Sequence, residues 1–142
     1  MKIDLKNEIF YYAGANNDIY VINNCELAKY NANQMPIGTY FSNDPFTLQT
    51  IPIGKTCNVY MLTDGYTDQL NPTSTKKFST KQFKINLLNI QKLSMKRQKL
   101  FLEKELTAWI DDGKQTDDIL VVGFNVWSGI TKGKSKVDLT SK

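Results

Sequence analysis

Cys57-Asn58-Val59-Tyr60-Met61-Leu62-Thr63-Asp64-Gly65 is an apolar run that ends in a carboxylate and a glycine. Its β-branched and aromatic content predicts a strand, and Gly65 lets the backbone turn sharply beside Asp64. A second segment has the opposite order. There Gln115-Thr116-Asp117-Asp118 precedes Ile119-Leu120-Val121-Val122-Gly123-Phe124-Asn125-Val126. That run is apolar on both faces at its start, which predicts a buried, central strand. If the two strands are antiparallel neighbours, the end of one abuts the start of the other, and Asp64 and Asp117 converge at one sheet edge. Converging carboxylates repel unless a cation or a proton neutralises them, so a divalent metal is one natural occupant. The other reading is structural: Asp-Gly is a common turn after a strand, and paired aspartates cap or turn the chain before one.

Between these segments the hydrophobic period changes from two to that of a helix. Ser79-Thr80-Lys81-Gln82 fits a capping box, and Phe83, Leu87 and Ile90 follow at helical spacing. A second helix is expected from near Ser94, with Met95, Leu102, Leu106 and Trp109 on one stripe and Gly113 as its stop. Upstream, the pattern is strands. Ile3 and Leu5 alternate with charged neighbours, and Ile9 to Ala13, Ile19 to Ile22 and Cys25 to Tyr30 follow across short turns. These read as a β-meander. Residues 31 to 45 read as a loop, and Phe46, Leu48 and Thr50 as one face of a further strand before the turn from Pro52 to Lys55. The expected architecture is α+β: antiparallel strands, then two helices over one sheet face, then a central strand.

Composition limits the chemistry. At 142 residues, 41% apolar and 23% charged, the chain has room for one domain with a hydrophobic core. It contains no histidine, which removes His-based acid/base catalysis, Ser-His-Asp and Cys-His nucleophiles, and His-ligated zinc. Cys25 and Cys57 form no CxxC pattern and read as reduced thiols. Carboxylates must therefore carry any metal chemistry, and oxygen ligands favour hard ions such as magnesium or manganese. Lys132, Lys134, Lys136 and Lys142 against Asp138 put +3 of the +4 net charge after Thr131. This stretch reads as a solvated, disordered tail over residues 127–142, and the body shows no basic-aromatic pattern for nucleic acid. No apolar run reaches the roughly 18 to 20 residues that span a bilayer. The Met1-Lys2-Ile3-Asp4-Leu5-Lys6 start has no apolar signal-peptide core, so a cytoplasmic location is expected.

The local words sharpen this picture. Thr63-Asp64-Gly65-Tyr66-Thr67-Asp68 resembles the TDG segment of the PPM family, the protein phosphatase 2C superfamily, in its bacterial SpoIIE-like branch. Gln115 to Val122 resembles the family's terminal Q-x-DD motif. Tyr12-Ala13-Gly14-Ala15-Asn16-Asn17 is similar to its A-G-x-N hairpin turn, and Met35-Pro36-Ile37-Gly38 to its P-[LI]-G loop. Together, in this order, the four motifs are specific, and the resemblance implies that residues 1–126 form the C-terminal portion of the family's α/β/β/α sandwich. The resemblance implies that Asp64 and Asp117 are metal ligands, with Gly65 and Asp118 in support and no side-chain nucleophile. It implies hydrolysis of phosphoserine or phosphothreonine monoesters by a hydroxide bridging two Mn²⁺ or Mg²⁺ ions. It also implies a phosphorylated regulatory protein of the anti-sigma antagonist type as substrate. Three departures stand out: no upstream D-x-x-G-H-G-like segment, Asp18 where proline is common, and no glycine-rich, glutamate-bearing stretch from Asp68 to Phe78. With two carboxylate ligands, weak or absent activity is expected of the chain alone, or the role of a non-catalytic interaction module. Strand edges left open should favour self-association.

Overall fold

Alternation along two strands builds the layers of the molecule. The computed structural model describes residues 1–38, 41 and 44–126. These form β1 (Lys2–Asp4), β2 (Ile9–Tyr12), β3 (Ile19–Asn23), β4 (Glu26–Tyr30), β5 (Gln49–Pro52), β6 (Cys57–Leu62), α1 (Asp64–Thr67), α2 (Thr80–Ile90), α3 (Met95–Ile110) and β7 (Val121–Val126). The pairings between these strands are antiparallel, in two sheets of order β1-β2-β5 and β4-β3-β6-β7.

Ile19 to Ile22 are all buried because β3 is covered on both faces. Ile19 and Val21 pack with Phe10, Tyr12, Ile51, Cys57 and Val59 between the two sheets. Tyr20 and Ile22 lie on the opposite face, where they pack with Tyr60, Phe83, Leu87 and Leu102 beneath the helices. The layers are therefore helices, four-stranded sheet, three-stranded sheet, which is the α+β arrangement expected of part of a sandwich. Each fully buried side chain such as Phe83 or Leu87 stabilises the fold by about 1.5–3 kcal/mol.

The helices begin where the sequence indicates. The Ser79 hydroxyl accepts from the Gln82 backbone N–H at 3.3 Å and caps α2, which buries Phe83, Leu87 and Ile90. Ser94 precedes α3, and its buried face carries Gln98, Leu102 and Leu106. Gln98 is polar but satisfied: Tyr60 donates its hydroxyl to Oε1 at 2.7 Å, and Nε2 donates to the Leu93 carbonyl at 2.9 Å. That pair ties the turn between the helices to the middle of the sheet. Among the described residues no helix is long and apolar enough to cross a membrane.

Four expectations change. The first strands are not one meander, because Gly14 to Asp18 carry the chain from β2 in one sheet to β3 in the other. The A-G-x-N segment is thus a crossing between sheets rather than a hairpin turn, held by Asn16 N–H to Asn33 O at 2.8 Å and Asn33 N–H to Gly14 O at 2.9 Å. The strand expected around Phe46 and Leu48 starts at Gln49, because pairing with β2 sets Ile51 opposite Phe10 and buries it. Asp64-Gly65 opens a four-residue helix, α1, in place of a simple turn. Finally, β7 pairs only with β6 and stands at an edge among the described strands, not in the centre. Its two apolar faces have another cause: Val121 packs toward the helices, while Phe124 and Val126 pack between the sheets. The basic tail over residues 127–142 lies outside the described residues.

Candidate metal centre

The two carboxylate segments meet because β6 and β7 are antiparallel neighbours. Their ladder runs from Cys57 opposite Val126 to Leu62 opposite Val121, so Thr63 and Leu120 come next. Thr63 N–H donates to the Leu120 carbonyl at 3.0 Å. The Thr63 hydroxyl then does two jobs, donating to the Asp118 carbonyl at 2.9 Å and accepting from Leu120 N–H at 3.0 Å. One side chain thereby extends the pairing by a step beyond the sheet and fixes the backbone of Asp118.

The chain next turns into α1, and Gly65 presses against the opposing backbone. A Cβ on Gly65 would lie 2.2 Å from the Asp118 carbonyl oxygen and 3.4 Å from the Asp117 carbonyl carbon. Such contact leaves room only for hydrogen, so glycine is required for close approach. Asp64 itself begins α1, where its carbonyl accepts from Asp68 N–H at 2.9 Å and from the Thr67 hydroxyl at 3.2 Å. On the other side, Asp117 Oδ1 accepts from Asp118 N–H at 2.7 Å, a local turn that orients the carboxylate.

A buried carboxamide sits behind this junction. Gln69 Nε2 donates to the Gly65 carbonyl at 2.7 Å, and Gln69 Oε1 accepts from Thr116 N–H at 3.0 Å. Thr63 and Gln69 were not singled out by sequence reasoning. Thr63 lies inside the Thr63–Asp68 word, and its hydroxyl was the available signal; Gln69 has no local pattern to mark it.

Asp64, Asp117 and Asp118 are all solvent-exposed, at the same end of adjacent strands. Their oxygen donors match a hard divalent ion in kind. In number they fall short of a full ligand set, since no group of three or more metal-binding side chains is present among the described residues. Neither cysteine lies at this end of the sheet, since Cys57 pairs with Val126 and Asn23 at the other end and Cys25 follows Asn23. Cys57 is fully buried in β6 and its thiol is pushed up to about 11 by burial, while Cys25 is exposed before β4.

A family model described as Stage II sporulation protein E (SpoIIE) matches residues 1–127. No curated protein matches the sequence. Among solved structures, the SiaA-PP2C domain of Pseudomonas aeruginosa is similar with a TM-score of 0.76 and 20% identity, over 85% of this chain and 48% of that one. The phosphatase domain of the cell fate determinant SpoIIE from Bacillus subtilis is similar with a TM-score of 0.61 and 15% identity, over 89% of this chain and 56% of that one. This chain spans about half the length of the solved domains it matches. The antiparallel two-sheet fold, the junction of the TDG and DD segments and the family match agree, and the chain belongs to the SpoIIE family of PPM-type phosphatase domains.

Proposed function

We propose that the chain forms part of a metal-dependent serine/threonine phosphoprotein phosphatase, with Asp64 and Asp117 as metal ligands and Gly65 and Asp118 as their support. The observation that carries this reading is the backbone contact of Gly65 with Asp118, which sets both aspartate-bearing segments at one end of adjacent strands. Mn²⁺ or Mg²⁺ held there would supply a water of lowered pKa and neutralise charge on the phosphoryl oxygens. The chain's own residues hold the donors. Thr63 fixes the Asp118 backbone, and Asp117 is turned by its bond from Asp118 N–H. The absence of histidine from the sequence and the burial of Cys57 are compatible with hydrolysis by water.

The substrate class is a phosphorylated regulatory protein of the anti-sigma antagonist type, acted on in the cytoplasm; this follows family resemblance. A second reading, a non-catalytic interaction module, is favoured by the exposed Leu120 and Val122 beside the edge of β7 that is unpaired among the described strands. Such an edge also favours self-association. The two readings separate in one assay, Mn²⁺-dependent hydrolysis of a phosphoserine peptide by the chain and by Asp64→Asn. Turnover that vanishes in Asp64→Asn supports the phosphatase reading. No turnover in either supports the interaction module.

A further inference from the structure

We infer that Gln69 is a positioning residue for the carboxylate pair, locking the Asp117 segment to the Asp64 turn through one buried carboxamide. The inference rests on the metal-ligand reading of Asp64 and Asp117 given above. Gln69 is fully buried, directly after the C-cap of α1. A carboxamide has two donor hydrogens and an acceptor oxygen, and burying it unpaired is costly. Both polar side-chain atoms of Gln69 are committed to the two segments that carry the aspartates. Nε2 donates to the carbonyl of Gly65, the neighbour of Asp64, at 2.7 Å, and lies 3.5 Å from the carbonyl of Asp117 itself. Oε1 accepts from the N–H of Thr116, the neighbour of Asp117, at 3.0 Å, and from the Thr116 hydroxyl at 3.3 Å.

The position of Gln69 is itself fixed independently of the site. Its backbone carbonyl accepts from Trp109 Nε1 at 3.0 Å and from Phe78 N–H at 2.9 Å. Both partners belong to the helix-side core, where Phe78 and Trp109 meet edge to face at 5.6 Å between ring centres. Gln69 thus ties that core to the first turn of α1 and to the exposed segment before β7.

A role in stability alone and a role in positioning differ in what they forfeit. Thr116 is exposed, so its N–H can bond to water once the carboxamide is gone. Loss of the clamp should therefore relax the Asp117 segment more than it destabilises the fold. Partners that orient a metal ligand from behind typically contribute about 10–100-fold in metal affinity.

The test is Mn²⁺ titration of the chain, following free Mn²⁺ by electron paramagnetic resonance, for wild type, Gln69→Met and Asp64→Asn. Amide hydrogen exchange at Thr116 is read in parallel, and near-ultraviolet circular dichroism reports folding. Gln69→Met should keep the folded spectrum, speed exchange at Thr116, and weaken Mn²⁺ binding about tenfold. Wild-type Mn²⁺ affinity in Gln69→Met, with binding lost in Asp64→Asn, overturns the role of Gln69 and leaves the metal site standing. Equal binding by wild type and Asp64→Asn overturns the metal site and the role of Gln69 with it. Should Gln69→Met fail to fold, Thr116→Pro removes the same hydrogen bond from the exposed side, with the same expected loss of Mn²⁺ affinity.

Discussion

The carbonyl oxygen of Asp118 lies 2.2 Å from the point where a side chain on Gly65 would begin. Two backbones, one entering α1 and one leading into β7, are packed with only hydrogen between them. The obstructing atom is backbone and belongs to a segment also held by the Thr63 hydroxyl at 2.9 Å, so it cannot swing aside. Gly65→Ala should therefore destabilise the chain by about 1–3 kcal/mol, the usual cost of overpacking a tight contact. Urea denaturation of the two proteins measures it, and a midpoint equal to wild type would show that the Asp118 segment moves freely.

Thr63→Val keeps the shape of the side chain and removes its hydroxyl. The Asp118 carbonyl loses a donor and Leu120 N–H loses an acceptor, at 2.9 and 3.0 Å respectively. Both groups belong to exposed residues and can turn to water, so the expected loss is about 1–2 kcal/mol, not a failure to fold. Thr63→Ser retains the hydroxyl and should recover most of it. Equal destabilisation by valine and serine in a denaturation series would assign the effect to the methyl group instead.

That the segments carrying Asp64 and Asp117 meet at one end of adjacent strands was legible in the sequence, because each aspartate closes or opens an apolar run long enough to be a strand. Antiparallel pairing of those runs leaves one arrangement of their ends. The sheet crossing at Gly14 to Asp18 was not legible, since a short polar turn between two apolar strands reads the same whether the chain folds back or changes sheet. What distinguishes the two is distant: Asn33 bonds to Gly14 and Asn16. α1 escaped notice because glycine is a poor helix former, and only the opposing Asp118 backbone gives it a reason to be there. Gln69 escaped for a similar reason, as its partners Gly65, Thr116 and Trp109 are assembled by the fold. Phe46 and Leu48 misled in the other direction: they alternate like a strand, yet both are exposed, and the pairing with β2 belongs to residues 49–52.

The two cysteines should separate cleanly by reactivity. Cys57 is fully buried between the sheets and burial pushes its thiol up to about 11, so at pH 8 it is both neutral and shielded. Cys25 is exposed. A disulfide reagent at pH 8 should therefore modify one thiol per chain in the native state and two in denaturant. Cys25→Ser should abolish the native reaction. Two rapid native equivalents would contradict the packing of β6 against the three-stranded sheet.

Alkaline pH should unfold the chain through its buried phenols. Tyr60 is raised from its ordinary 10.0 to about 12, chiefly by burial, and Tyr66 is raised by burial and by the charge of Glu105. Between pH 10 and 12 the unfolded chain releases a proton from Tyr60 that the folded chain retains. Stability from this group is therefore intact below pH 10 and falls as pH rises toward 12. A rise of about two units corresponds to roughly 3 kcal/mol across that window. Cys57 adds a loss of the same sign, beginning from its ordinary 9.0. Denaturation midpoints measured at pH 9 and pH 11 should drop in wild type and drop less in Tyr60→Phe. The 295 nm phenolate absorbance that wild type gains and Tyr60→Phe lacks should appear together with unfolding. A phenolate signal from Tyr60 below pH 10 in the folded chain would mean that water reaches the ring, and that the contact between its hydroxyl and Gln98 at 2.7 Å is not maintained in solution.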